Sequence, residues 1–422
     1  MVKIALDTLG CKLNQAETEL LARKFREEGH IVVTSIVDAD IYILNTCTVT
    51  HTADAKSRQL LRKIRRRNPN VILVVTGCYA QRAPETLSRI EGVALTAGND
   101  DKLNLPAILK KRGFLQKSGS ITPQQLYEDI PESRTRSFIR IQDGCSNFCS
   151  YCIVPFVRGR EKSLTPNDIL KQIRDCVSDG IKEIVLTGTE IGSYASNGVK
   201  LRELLVRILT ESDVQRLRLS SLQPNEITPG LLDLWNDRRL CPHFHISLQS
   251  GSDSVLSRMN RRYDTAIFQK TVSLIRSRLP DVAITTDIIT GFPGETDEEY
   301  RASFEMCSET GFARIHVFPY SRRPGTAAAT MPGQVPDGVK TQRNRNLGIL
   351  SNECAESYRQ GFTGRTMDVL WETQSGGIWS GYTGNYIRIY TRSNSNLANK
   401  IDQVTLEKPF RDGMWGRKEG AI

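Results

Sequence analysis

The sequence predicts an α/β protein in three parts: a parallel α/β domain, a partial (β/α)6 barrel and a small C-terminal β-barrel. Three observations predict it. Apolar strand patterns alternate with helical ones over 1–110 and again over 136–330. The stretch between them, KRGFLQKSGSITPQQLYEDIPESRT, loses that period and carries Gly, Ser and Pro. After 361 the pattern becomes strand-like alternation broken by GG and SG turns. The expected boundaries are a first domain over 1–112, a linker over 113–134, a barrel over 135–359 and a small β-barrel over 360–422.

Composition narrows the class. The chain has 422 residues, 39% apolar and 25% charged, with 57 Lys+Arg against 47 Asp+Glu for a net charge of +10. Its longest apolar runs, such as VILVV at 71–75, fall far short of the ~20 residues that cross a bilayer. The opening MVKIALDTLG has no basic n-region or long apolar h-region, so no secretory signal and a cytoplasmic location are expected. The basic balance favours an anionic partner. In a reducing compartment, clustered members of the ten cysteines serve as ligands or catalytic groups rather than disulfides.

Taken in order, VKIALDTLG reads as a strand, followed by a helix with Asn14 as N-cap and Gly29 as C-cap. IYILNTC is a second strand, 52–67 a helix, VILVVTGC a third strand, with a helix near 82–90. The barrel strands are SFIRIQDG, EIVLTG, RLRLSSL, HFHISLQS, AITTDIITG and RIHVFPY. Helical patterns at 166–179, 200–211, 228–236 and 296–310 separate them, and 340–360 is helical. TMDVLWET, NYIRIYT and QVTLEKP are strands of the small barrel.

CSNFCSYC gives Cys145, Cys149 and Cys152 the spacing C-x3-C-x2-C directly after a predicted strand. Three thiolates on one loop can hold three irons of a [4Fe–4S] cluster and leave the fourth open to a small molecule. A structural zinc wants four ligands, and no fourth Cys or His lies close by. Cys11, Cys47 and Cys78 each follow a different predicted strand. Parallel strands end at one edge, so these three can converge as a second three-thiolate cluster. Cys176, Cys241, Cys307 and Cys354 have no partner spacing and read as buried. His243 and His245 share a strand face and read as core or polar barrel lining. TGTEIG, SLQSGS and DIITGFPGET put polar or glycine-rich loops at the barrel mouth. KSRQLLRKIRRR (56–67) holds seven basic residues and no acid, either a solvated face or a phosphate-contacting stripe. Trp371, Trp379, Tyr382, Tyr386 and Tyr390 suit base stacking or an ordinary small-barrel core.

CSNFCSYC resembles the cluster motif of radical S-adenosylmethionine enzymes, and the three spaced N-terminal cysteines resemble the methylthiotransferase branch. The order of N-terminal cluster domain, radical barrel and C-terminal TRAM-like barrel resembles that branch over nearly the whole chain. TLGCKLNQAETE, CIVPFVRGRE, CPHFHISLQSGSDSVLSRMNRRY, ITTDIITGFPGET and HVFPYSRRPGTAAA most resemble the members that act on threonylcarbamoyladenosine in tRNA. Two positions depart from the pattern: Gln223 stands where Glu is usual, and Glu190 where His or Asn is usual.

The resemblance implies two [4Fe–4S] clusters, on Cys145, Cys149 and Cys152 and on Cys11, Cys47 and Cys78, with S-adenosylmethionine at the former. Tyr151, Gly188, Thr189, Glu190, Gln249 and Asp287 are the expected cofactor contacts. It implies hydrogen abstraction from C2 of N6-threonylcarbamoyladenosine beside the anticodon, then sulfur insertion and methylation. The implied partners are the tRNA anticodon stem-loop and a reducing electron-donor protein, with no membrane. The competing readings are a sister enzyme acting on isopentenyladenosine or on a ribosomal-protein aspartate, and a non-catalytic iron–sulfur RNA-binding protein.

Overall fold

The computed structural model describes residues 2–115 and 135–419, so most of the expected linker lies outside the described residues. The first part is a five-stranded parallel sheet of β1 (Lys3–Thr8), β2 (Ile31–Val33), β3 (Ile41–Thr46), β4 (Ile72–Gly77) and β5 (Val93–Thr96), ordered β2-β1-β3-β4-β5. Its helices are α1 (Lys12–Glu27), α2 (His51–Arg67), α3 (Cys78–Arg82), α4 (Pro84–Ser88) and α5 (Leu105–Lys111). Strand alternation sorts the side chains. Ile41 and Ile43 pack with Leu21 and Phe25 of α1 and Leu105 of α5. Tyr42 and Leu44 pack on the other face with Leu61 and Ile64 of α2.

Six parallel strand positions make the open barrel: Arg136–Arg140, Glu183–Thr187, Arg216–Leu219 continued by Ser221–Leu222, His243–Ile246, Ala283–Thr290 and Arg314–Pro319. Both edges are covered. Glu19 of α1 accepts from Ser137 Oγ at 2.8 Å on the first strand. On the last, Ile315 N–H donates to Ser351 Oγ at 3.1 Å, from the helix Asp337–Gln360. A side chain thus meets polar groups that an open sheet edge would leave exposed.

The last part is a closed five-stranded barrel: Thr366–Ser375, Ile378–Thr383, Arg388–Arg392, Gly413–Lys418 and Ile401–Phe410 in spatial order. Trp371 and Trp379 lie in its core, and Tyr390 is 4% exposed. These rings therefore support the barrel rather than a base-stacking face. Tyr386 instead lies under the Arg218 guanidinium, 4.0 Å from the ring centre, and Arg136 pairs with Glu372 at 3.0 Å. The small barrel is thereby docked against the starts of the larger barrel's strands. Among the described residues no helix is long and apolar enough to cross a membrane.

Two helix ends differ from the expected ones. The first helix starts at Lys12 with Cys11 as N-cap, which leaves Asn14 inside it and fully buried. At its other end Glu28 is the C-cap, and Gly29 follows with φ +83°.

Candidate functional site

Three neighbouring strands each deliver one cysteine to the same sheet edge. Cys11 lies after β1, Cys47 directly after β3, and Cys78 opens α3 after β4. Cys11 is exposed, and Cys47 and Cys78 are buried. Asn14 fixes the edge from inside α1: its Nδ2 donates to Leu9 O at 2.9 Å and to Thr46 O at 3.1 Å. Gly10 has φ +115°, and a Cβ there would stand 2.9 Å from Cys47 Sγ. The turn therefore needs glycine both for its conformation and for the close approach. Burial pushes the Cys47 thiol up to about 12.

Cys145, Cys149 and Cys152, all half-buried, occupy one loop after the first barrel strand. Cys145 N–H donates to Gly159 O at 3.1 Å, and Cys152 N–H to Cys149 O at 2.9 Å. Ser150 Oγ donates to Arg258 O at 2.8 Å and Asn260 Nδ2 to Phe148 O at 3.2 Å, which ties the loop to a neighbouring turn. Arg261 Nη1 lies 3.2 Å from Cys149 Sγ. Burial pushes both Cys145 and Cys152 up to about 12, and the Glu190 carboxylate adds to the shift at Cys145.

The two cysteine groups adjoin. Cys78 packs in one cluster with Ile153, the residue after Cys152, and with Val157 of α6 (Val154–Arg158). Arg158 reaches across, donating through Nη1 to Glu17 Oε1 at 2.9 Å and Asp143 Oδ1 at 2.9 Å, and through Nη2 to Asn14 Oδ1 at 2.6 Å. A second clamp joins Arg323 of the barrel to Asp54 of α2 at 2.5 Å.

The expected cofactor contacts divide. Gln142 Oε1 accepts from the backbone N–H groups of Thr189 and Glu190 at 3.0 and 2.9 Å, which holds Gly188, Thr189 and Glu190 beside the cysteine loop. Gly188 is packed on that same glutamine, since a Cβ there would lie 2.9 Å from Gln142 Oε1. Glu190 Oε2 lies 3.2 Å from Cys145 Sγ. With Glu161 these ligand atoms lie within 4.8 Å of one another. Tyr151 is edge-on to Phe292. Gln249, at φ +70°, donates its N–H to Asp287 O at 2.8 Å. The Asp287 carboxylate is 3.2 Å from His245 Nε2. The two residues that depart from the family pattern touch each other, Gln223 Nε2 donating to Glu190 Oε1. Burial, with Glu190 adding, holds Glu226 up at about 8.

The radical SAM superfamily matches residues 139–307, and the uncharacterized protein family UPF0004 matches residues 3–98. The chain is 36% identical to the threonylcarbamoyladenosine tRNA methylthiotransferase MtaB of Bacillus subtilis, over 99% of this chain and 97% of that one. It is 37% identical to the protein of the same name from Thermotoga maritima, covering 92% and 91%. It is 33% identical to the tRNA-2-methylthio-N(6)-dimethylallyladenosine synthase of Syntrophus aciditrophicus, covering 95% and 90%. The chain belongs to the radical S-adenosylmethionine methylthiotransferases. Among solved structures, the radical S-adenosylmethionine methyltransferase TsrM from Kitasatospora setae shares the fold, with a TM-score of 0.58 at 16% identity over 78% of this chain and 75% of that one.

Membership of the methylthiotransferases brings S-adenosylmethionine and [4Fe–4S] clusters. The donor chemistry fits. All ten cysteines are free, and each group of three sits in a setting that a disulfide would not explain. Iron would displace the proton of each thiol that binds it, and the metal's positive charge would then offset the burial that otherwise disfavours the thiolate. The words CKLNQAE and RGRE meet here, because Asn14 and Glu17 of the first bind Arg158 of the second. Sequence reading missed Gln142, Arg261 and Glu226. Their positions depend on strands far apart in the chain, and no spacing marks them.

Proposed function

We propose that this methylthiotransferase replaces the C2 hydrogen of N6-threonylcarbamoyladenosine, beside the anticodon of tRNA, with a methylthio group. The observation that carries this reading is the packing of Cys78 on Ile153, which sets the two cysteine groups at one mouth. The names of the relatives supply the substrate. Cys145, Cys149 and Cys152 hold the cluster that binds S-adenosylmethionine, and Cys11, Cys47 and Cys78 hold the second. When bound, these groups supply the electron, a radical able to take hydrogen from an unactivated aromatic C–H, the sulfur and the methyl group.

The chain's own residues position and enclose. Gln142 fixes the 188–190 backbone against the cysteine loop. Arg261 sets a cation beside Cys149. Asn14 and Arg158 keep the two halves of the mouth in register. An aromatic C–H has no useful acidity, so no general base is assigned. Arg58, Arg62, Arg65, Arg66 and Arg89 line one concave surface on α2 and beyond α4, a footprint for RNA phosphates. In this reading the domains span 1–112, 135–359 and 360–422, and the enzyme works in the cytoplasm with a reducing protein as electron donor.

Mass spectrometry of tRNA nucleosides from cells with and without the gene tests this. Loss of the methylthio nucleoside with accumulation of threonylcarbamoyladenosine is expected. An unchanged ratio in the deletion strain, alongside a lost methylthio form of isopentenyladenosine, overturns the substrate assignment.

A further inference from the structure

The barrel's cysteine loop turns its thiols inward and one aromatic ring outward. Cys145 Sγ meets the buried Glu190, and Cys149 Sγ meets Arg261. Tyr151 packs edge-on against the buried Phe292. Phe148, the residue before Cys149, is instead 48% exposed, and Phe156 of α6 is 56% exposed. The two rings meet edge to face with centroids 6.4 Å apart. On α6, Val157 packs on Cys78 together with Ile153, while Phe156 faces solvent.

Neither backbone nor packing calls for phenylalanine at 148. Its φ of +47° is a left-handed conformation that costs a bulky residue and that Asn or Gly adopts more readily. Asn260 Nδ2 secures it by donating to Phe148 O at 3.2 Å. Two adjacent rings left in water also forgo the gain of burial. The rim around them is basic. Arg160 and Lys162 are exposed just beyond Gly159, whose carbonyl accepts from Cys145 N–H. Arg262, two residues after Asn260, is exposed as well. Glu161 turns back on the loop, where its carboxylate accepts from Ser146 N–H at 3.1 Å.

We infer that Phe148 and Phe156, rimmed by Arg160, Lys162 and Arg262, are the docking surface for the reducing protein, a small acidic one-electron carrier. The inference rests on the function proposed above and names the surface at which its electron enters. The carrier is oxidised by one electron, and the cluster that Cys145, Cys149 and Cys152 would hold is reduced by one. A partner seated on Phe148 stands one residue from a ligand of that cluster, and electron transfer slows steeply with distance. The reacting base enters where Cys78 packs on Ile153, so the outer face of the loop stays open while RNA is bound. The rings stand at 85° to one another and so cannot both lie parallel to one base. They form a ridge that fits an apolar hollow on a protein. Aromatic anchors within a charged rim give a protein contact its affinity at the centre and its steering at the edge.

The test compares reconstituted wild type with the double variant Phe148→Asn, Phe156→Gln, since asparagine accepts the left-handed φ. A flavodoxin is the probe, and dithionite is the small reductant that needs no docking surface. Binding of oxidised flavodoxin is measured by calorimetry at low and high salt. Formation of 5′-deoxyadenosine is measured with each reductant, and iron content and affinity for the anticodon stem-loop are read alongside. The double variant is expected to bind flavodoxin at least about tenfold more weakly and to lose flavodoxin-driven cleavage. It is expected to keep its iron, its dithionite-driven cleavage and its RNA affinity. If it loses iron, the triple variant Arg160→Gln, Lys162→Gln, Arg262→Gln carries the comparison, with weaker flavodoxin binding and a flatter salt dependence expected. Flavodoxin affinity equal to that of the wild type in the iron-replete variant overturns the inference. So does weakened RNA binding with flavodoxin binding unchanged, which makes the rings a stacking platform for bases. Wild type that cleaves with dithionite but neither binds nor accepts electrons from flavodoxin keeps the proposed chemistry and loses this inference. Wild type that cleaves with neither reductant removes both.

Discussion

Cys149 faces the Arg261 guanidinium at 3.2 Å, whereas Cys47 sits behind Gly10 with its thiol raised by burial. The two belong to separate groups, so their removal has separable effects. Cys149→Ala is expected to reduce S-adenosylmethionine cleavage, read as 5′-deoxyadenosine formed under anaerobic reduction, to background. Cys47→Ala is expected to retain part of that cleavage and to form no methylthiolated RNA. Full product from either variant would remove that cysteine from its place. The placement of six cysteines in two groups was readable because thiol spacing and strand-end position are properties of the sequence itself. Arg261 and Gln142 were not, because their roles exist only once the loop at 258–261 and the strand at 142 reach the cysteine loop. Arg158 stood inside a recognised word, yet its partners Asn14 and Glu17 lie more than a hundred residues away.

Helix α2 shows what an element adds to a list of charges. Ser57, Leu61 and Ile64 turn inward, while Arg62 and Arg66 are exposed and stand one turn apart. The stripe read from 56–67 is therefore a surface, and Arg89 beyond α4 extends it. Each phosphate contact adds about 0.9 to the slope of log affinity against log salt. The double variant Arg62→Ala, Arg66→Ala is expected to weaken tRNA binding and flatten that slope by about 2. A slope equal to that of the wild type would make the stripe a solvated face. Element ends were less readable than element types. The first helix was placed from Asn14 because asparagine favours N-caps, but Asn14 is used inside the helix to hold Leu9 and Thr46. In the small barrel, Ile378–Thr383 and Gly413–Lys418 went unread as strands. Gly381 and Gly416 dilute their β pattern, and tight barrel packing requires those glycines: a Cβ on Gly381 would lie 2.8 Å from Trp371 Cα.

Across the whole molecule, the α/β alternation revealed the parts of the chain but not how they lock together. That docking is ionic and buried. Glu17 is 3% exposed and meets Lys102 at 2.5 Å from its own domain and Arg158 at 2.9 Å from the barrel. Burial alone would raise its pKa, but Lys102 and Arg158 outweigh that and hold its carboxyl at about 2. A folded value below the usual one of 4.5 means that its contribution is complete above about pH 4.5 and is lost as pH falls toward 2. Removing the anion strands two buried cations, which costs on the order of 3–5 kcal/mol. Glu17→Gln is therefore expected to lower the denaturation midpoint at pH 7, with the gap to the wild type narrowing only below about pH 4.5. A gap independent of pH down to 3 would show that the charge of Glu17 is not what matters. The same clamp lies between the two cysteine groups, so loosening it separates two activities. In the proposed assignment, S-adenosylmethionine cleavage needs only the barrel loop and its cluster, whereas product needs the N-terminal cysteines held at the mouth. Glu17→Gln should thus raise the number of cofactor molecules cleaved per methylthio group formed, measured as 5′-deoxyadenosine against modified RNA in the same reaction. An unchanged ratio with a lowered midpoint would confine Glu17 to stability.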